Sequence, residues 1–449
     1  MSSATATGGD GGTGDGDGGV RRAWSATFGV LQRIGRSLML PIAVLPAAGI
    51  LLRLGQPDLL GADGLGQDRI AEVFAAAGGA LLDNLAILFA VGVAIGFAKK
   101  SDGSTALAAV VAYLVFDRVS KVMFAHTDEL RASVVQNVQQ EDGSLEETVA
   151  YGLQNPTQVL GGIVVGIMVA LLYQRFYRVK LPSWLAFFGG RRFVPIVSAG
   201  GALLLGVVFG FVWPTLGGWI NDFGDWLTGA GAVGAGLYGV ANRLLLPFGL
   251  HHILNSLIWF VFGTYREPDG DVVHGEINRY LAGDPDAGTF LAGFFPVLMF
   301  GLPGAALAIW RAAPPHRRPA VGGIMISAAL TAFVTGVTEP IEFSFMFVAP
   351  VLYGIHVVLT GLSMGVLAAL DAQLGFSFSA GLIDLLLNAT KSNTRHLWLI
   401  IGMGVLYFVL YYAIFSFVIR RFDLPTPGRE PEEDMPPESK PDTPPPRAR

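Results

Sequence analysis

The sequence has no cysteine among its 449 residues, and Asp, Glu, Lys and Arg together make up only 14% of it. The first absence excludes disulfides, thiolate metal sites, a catalytic thiol and a phosphocysteine carried on this chain. The second compares with roughly 25% charged residues in an ordinary soluble domain. With a mean hydropathy of +0.52 it argues against a water-soluble enzyme of several domains. A basic excess is missing too: the formal net charge is −5, so no nucleic-acid partner is expected. No metal site and no cofactor are expected either. The first twenty residues, mostly Gly, Ser, Thr and Asp, are not expected to be a signal peptide, because they have no basic start followed by an apolar core.

What is present is long apolar runs. Residues 193–221, 287–310, 319–338, 343–370 and 397–419 contain no Asp, Glu, Lys or Arg. A bilayer core of about 30 Å takes about 20 apolar residues as a helix, so each run can span. Weaker candidates are 38–52, 74–98, 106–116 and 159–173, and the apolar stretch 227–262 is interrupted by Arg243, Pro247 and Gly249. These patterns predict an all-α polytopic membrane protein with about ten transmembrane helices plus broken or re-entrant ones. A transmembrane β-barrel is excluded, because its strands alternate over about ten residues.

The polar residues lie outside these runs. Residues 1–22 and 424–449 read as disordered tails, the second holding nine of the 26 prolines. Basic residues flank the membrane part: Arg21, Arg22, Arg33 and Arg36 before the first span, Arg420 and Arg421 after the last. Both termini are therefore expected in the cytoplasm, with Lys99–Lys100, Arg175–Arg178 and Arg317–Arg318. The stretch 128–148, with six acidic residues and Arg131 alone as a base, is expected outside.

Polar side chains inside apolar segments are costly and usually face a cavity or a partner helix. They concentrate in two places. In the stretch 241–255, Pro247 and Gly249 interrupt the helix, and a new helix starting near Gly249 puts His251 and Asn255 on one face. Imidazole and carboxamide together suit a neutral polyhydroxyl ligand. Alternatively, His252 bonds a neighbouring carbonyl, and Arg243 snorkels as a cytoplasmic anchor. The second place is Thr335-Gly-Val-Thr-Glu-Pro-Ile-Glu-Phe343. Pro340 disfavours helix at Glu339 and can itself open the next helix. Glu342 then falls in the first turn, where a carboxylate can also cap backbone N–H groups. Glu339, on unwound backbone at the end of an apolar span, is the stronger functional candidate. An ionised carboxylate grips sugar hydroxyls by charge-assisted bonds, and can take a proton from a hydroxyl that attacks phosphorus. A proton-coupled symporter would use a buried glutamate equally well, and spacing does not separate the two.

At these motifs the sequence resembles the enzyme IIC subunits of the bacterial phosphoenolpyruvate-dependent sugar phosphotransferase system, glucose/N-acetylglucosamine branch. The matching stretches are 31–49, 180–195, Gly249-Leu-His-His-Ile-Leu-Asn255 and 336–350. The resemblance implies a multi-pass protein of the bacterial cell membrane within residues 23–423. Of these, about 23–240 would be mainly a dimerising scaffold and about 241–423 mainly a sugar-transport domain. It implies a homodimer in the lipid bilayer and phosphorylation of the sugar 6-hydroxyl. Glu339 and His251 would carry the chemistry, and Arg243, Asn255, Thr338, Glu342 and His252 would bind substrate. One departure is Arg191, where the family often has Lys.

Residues 273–290 and 375–384 look more like N-acetylglucosamine-type than glucose-type subunits, and Ala380 stands where the glucose type tends to carry His. N-acetylglucosamine is therefore the expected sugar, with glucose as the alternative. Phe376 and Phe378 can pack on the acetyl group or serve as ordinary packing. The phosphoryl donor in this branch is a cysteine of the IIB domain, so a chain without cysteine is expected to meet a separate phosphorylated IIB protein, itself charged by IIA. A cation-coupled sugar symporter and a membrane sugar sensor are the rival classes.

Overall fold

The computed structural model describes residues 37–42, 44–98, 101–139, 145–151, 153–267, 270 and 272–429. Expectations resting on residues 1–36, 99–100, 140–144 and 430–449 lie outside the described residues. They include the roles of Arg21, Arg22, Arg33, Arg36, Lys99 and Lys100.

The described chain is mostly helical. After a short helical turn at Met39–Ile42 come α1 (Leu45–Leu54), α2 (Asp68–Leu82), α3 (Leu85–Phe97) and α4 (Gly103–Phe124). Asp102 starts α4 as its N-cap, accepting the Ser104 N–H at 3.0 Å, and Thr105 completes a capping box. After an antiparallel hairpin (Val135–Gln139 with Leu145–Val149) come α5 (Gln158–Phe176) and α6 (Phe193–Gly229). Then α7 (Gly231–Leu245) and α8 (His251–Phe260) follow, separated by a short 3₁₀ turn at Leu246–Phe248. A helical stretch, Thr289–Ala312, has a π-helical turn at Pro296–Gly301 and finishes as α9 (Leu302–Ala312). The last elements are α10 (Arg318–Thr335), α11 (Glu339–Met346), α12 (Pro350–Ala369), α13 (Leu382–Asn388) and α14 (Leu397–Arg421).

Six of these helical stretches are long and apolar enough to cross a bilayer, or seven if α2 and α3, bent by 51° at their junction, count as one span. That is fewer than the ten expected, for two local reasons. Glycine and proline cut α1 and α7 below the spanning length. α4 is long enough, but Asp117, Arg118 and Lys121 lower its hydropathy. The 37 residues of α6 would extend about 55 Å at 1.5 Å per residue, well beyond one hydrocarbon core. Its outer face carries exposed Phe211, Trp219 and Leu204, and α14 carries exposed Val405 and Phe417. Apolar side chains turned outward in this way suit a lipid environment.

Small residues set the closest packing, as expected where helices have no hydrophobic drive to leave lipid. A Cβ on Gly162 of α5 would lie 2.1 Å from the Ala86 carbonyl of α3, and one on Gly361 of α12 would lie 3.0 Å from the Gly236 carbonyl of α7. The second contact matters for function, because it seats α7, and with it Asn242 and Arg243, directly on α12. The chain after α14 does not leave the fold at 424 as expected. Thr426 is fully buried, and Arg429 Nη1 donates to the Ala312 carbonyl at 3.0 Å, closing the end of α9.

Candidate functional site

Two helix breaks build the site. The first lies between α7 and α8, where Gly249 adopts φ 69°, a left-handed conformation that a side chain disfavours. The second lies between α10 and α11, where Gly336 has φ 75°. A Cβ there would lie 2.6 Å from Ser379 Oγ, so the chain at Gly336 and the segment 376–379 are tightly apposed. That segment is tied down by Asp384, which accepts both the Ser377 N–H and its hydroxyl at 2.7 Å, and by Ser379 Oγ donating to the Gly336 carbonyl at 2.9 Å.

Between these pieces lies a cavity of about 380 Å³, inside the range of small-molecule sites, about 300–1,000 Å³. Its polar wall holds Asn242, Arg243, His251, His252, Asn255, Thr338 and Glu339, and its apolar wall holds Trp259, Phe294, Phe376 and Phe378. Six of the seven residues expected from the sequence therefore converge on one hollow. The exception is Glu342, which is fully buried and does not line it.

Each side chain has a distinct setting. The Glu339 carboxylate accepts the Thr338 N–H through Oε2 at 3.2 Å and has no ion-pair partner among the described residues. Both imidazoles are nearly buried, with ring centroids 3.9 Å apart, and neither makes a hydrogen bond among the described residues. His251 Nδ1 is completely shielded and unpartnered. The expected carbonyl partner for His252 is thus not seen. Asn255 Oδ1 is occupied twice, by the Tyr238 hydroxyl at 2.8 Å and by Asn242 Nδ2, so only its amide N–H groups remain for a ligand. Trp259 Nε1 donates to the same Tyr238 hydroxyl at 3.0 Å, which orients the indole on the apolar wall.

Arg243 is not a snorkelling anchor, since it is 5% exposed and donates to Glu342 Oε1 at 2.8 Å. Glu342 does not cap its helix by way of the backbone. Its Oε1 takes Arg243 and His356, the latter at 3.0 Å, while Oε2 has no hydrogen-bond partner among the described residues. Arg191 meets Asp102 at 2.8 Å, far along the chain from the cavity residues. The Asp102 carboxyl is held below the ordinary carboxylate range, first by the Ser104 hydroxyl and less by Arg191.

Sequence reasoning passed over Asn242, Tyr238, Trp259 and His356. Asn242 adjoins Arg243 in the same interrupted stretch, and His356 is the one histidine in the run 343–370, which has no Asp, Glu, Lys or Arg. Both signals were available without coordinates.

Several apolar spans together with a partly open cavity, polar on one side and aromatic on the other, fit an integral membrane permease for a small polar solute. The chain belongs to the family described as "Phosphotransferase system, EIIC", which it matches over residues 35–361. It is 54% identical over 419 residues to a Streptomyces coelicolor protein described as "PTS system N-acetylglucosamine-specific EIIC component", covering 93% of this chain and 96% of that one. It is 47% identical over 408 residues to the "PTS system N-acetylglucosamine-specific EIICBA component" of Escherichia coli, covering 91% of this chain and 57% of that longer protein. Its fold is similar to that of the transporter ChbC, the IIC component from an N,N'-diacetylchitobiose-specific phosphotransferase system, with a TM-score of 0.57 at 13% identity over 88% of this chain and 93% of that one.

Proposed function

We propose that this protein is the membrane permease subunit of a phosphotransferase system. In this reading it imports N-acetylglucosamine while a separate phosphorylated IIB protein transfers a phosphoryl group to the sugar 6-hydroxyl. One observation carries the reading: the Glu339 carboxylate, with no ion-pair partner among the described residues, lies on the wall of a sugar-sized cavity formed at two helix breaks. The relatives described as N-acetylglucosamine-specific support the choice of sugar, and the aromatic wall offers an apolar seat for an acetamido methyl group.

The chemistry follows from the wall. Glu339 accepts the O6 hydroxyl bond and orients it in line with the IIB phosphocysteine. As the O6–P bond forms and the P–S bond breaks, the O6 proton passes to Glu339 and the thiolate stays on IIB. His251 bonds a sugar hydroxyl through Nε2, the ring nitrogen that is not shielded, and Arg243 supplies fixed positive charge beside the reacting oxygens. His252, Thr338 and the Asn255 amide complete the polar grip.

The same reading includes a homodimer in a bacterial cell membrane with both termini cytoplasmic. The scaffold is chiefly residues 23–240 and the transport part chiefly 241–423. Placing α1, α4 and α7 in the bilayer beside the seven apolar spans brings the count to ten. The test uses sealed vesicles loaded with phosphorylated IIB and supplied with radiolabelled N-acetylglucosamine. Internal label should be the 6-phosphate and should depend on phospho-IIB. Uptake of free sugar that collapses with an ionophore would replace this reading with a cation symporter, and binding without flux would replace it with a sensor.

A further inference from the structure

His356 lies in the middle of α12, inside a run with no Asp, Glu, Lys or Arg. An imidazole buried there without partners would be costly, yet the side chain is fully buried. Both of its ring nitrogens are used. Nδ1 is 2.8 Å from the hydroxyl of Tyr411 on α14, and Nε2 is 3.0 Å from Glu342 Oε1 on α11. The acceptor on one side is a carboxylate paired with a guanidinium. Nε2 therefore carries the hydrogen and donates to Glu342, and Nδ1 accepts from the Tyr411 hydroxyl. The chain of bonds has one direction, from Tyr411 through His356 to Glu342, where Arg243 Nη1 meets the same oxygen at 2.8 Å. Tyr411, His356 and Glu342 are fully shielded, and only Arg243 at the end of the chain lines the cavity.

This geometry gives Glu342 one task. With both of its described bonds on Oε1 and no opening to the hollow, it holds the guanidinium instead of the ligand. Arg243 is clamped from further sides as well: Tyr353 donates its hydroxyl to the Arg243 carbonyl, and the guanidinium carbon lies 5.4 Å from the Phe294 ring centroid. Removing the imidazole would free Glu342 to rotate, since one of the two donors that fix Oε1 would be gone. The guanidinium would then follow its counter-ion.

We propose that His356, backed by Tyr411, is a positioning residue that fixes the Arg243 guanidinium at the sugar cavity through Glu342. The proposal rests on the reading of that cavity as the sugar site. A misplacement of about 1 Å in such a group can lower turnover by about a hundredfold. His356→Leu should therefore reduce kcat/KM for N-acetylglucosamine phosphorylation by ten- to a hundredfold. His356→Gln, which keeps a donor toward Glu342, should recover most of that loss, and Tyr411→Phe should cost less than His356→Leu.

The deciding experiment is a double-mutant cycle on the full chain in vesicles with phospho-IIB, combining His356→Leu or Tyr411→Phe with Arg243→Ala. If His356 acts through Arg243, its substitution should have almost no further effect once Arg243 is alanine. Equal losses with and without Arg243 would overturn the proposal, as would His356→Gln behaving like His356→Leu in a protein of unchanged melting temperature. If His356→Leu does not insert, the cycle is run with Tyr411→Phe and His356→Gln, and additivity there overturns the proposal in the same way. Wild-type vesicles that bind or turn over no sugar would instead overturn the reading of the site, and the positioning role with it.

Discussion

Replacing Glu339 by Gln tests the site with the least disturbance to the fold. The side chain keeps its shape, and the amide oxygen can still accept the Thr338 N–H that Oε2 now takes at 3.2 Å. No ion pair is broken among the described residues, so no buried cation is left uncompensated. The change in stability should stay within about 1 kcal/mol, the net worth of an ordinary hydrogen bond. Function should respond very differently. Charge-assisted bonds to sugar hydroxyls fall to neutral ones, a loss of about 1–2 kcal/mol, or about tenfold in sugar affinity. Loss of the proton acceptor for O6 removes a further factor of about 10²–10⁴ in turnover. The assay is phospho-IIB-dependent formation of N-acetylglucosamine 6-phosphate in vesicles, alongside sugar binding and thermal unfolding of the purified variant. Wild-type turnover in a normally folded Glu339→Gln protein would refute the reasoning, because no other carboxylate among the described residues lines the cavity.

Three further predictions follow from the same geometry. Arg243→Ala leaves Glu342 buried with only a neutral imidazole, and should cost about 3–5 kcal/mol of stability, measured as thermal unfolding in detergent; an unchanged melting temperature would contradict the ion-pair assignment. Phe378→Ala opens the aromatic wall and should raise the KM for N-acetylglucosamine by roughly five- to thirtyfold, the value of about 1–2 kcal/mol of apolar contact, with glucose competition much less affected. Equal effects on both sugars would remove Phe378 from the acetyl seat. Gly336→Ala forces a side chain into left-handed backbone at a cost of about 1–2 kcal/mol and against Ser379 Oγ. It should abolish transport while membrane insertion persists, and full activity would show that the break at Gly336 does not shape the site.

How far the sequence could be read depended on how local each feature is. The two breaks were legible because proline and glycine act on their own neighbours: Pro247 and Gly249 interrupt one helix, and Pro340 marks the other. The residues beside them, His251, His252, Asn255, Thr338 and Glu339, all reach the cavity. Glu342 was harder. Its place in the first turn of α11 suggested a backbone cap or a ligand contact, but its partners come from positions 99 residues before it and 14 after it in the chain. No local rule announces such pairings. The count of spans differed because apolar length was read across breaks, and because Asp117, Arg118 and Lys121 interrupt the hydropathy of α4 without ending its helix. The packing of α7 on α12 through Gly236 and Gly361 likewise needs both helices to be placed before either glycine has a meaning.

The most direct measurement is a structure of the protein with N-acetylglucosamine bound. The account predicts the sugar between the two helix breaks, with Glu339 accepting a hydroxyl bond, His251 within hydrogen-bond reach and the acetamido methyl against the aromatic wall. Sugar bound elsewhere, or bound in this cavity with Glu339 turned away into a salt bridge, would contradict it.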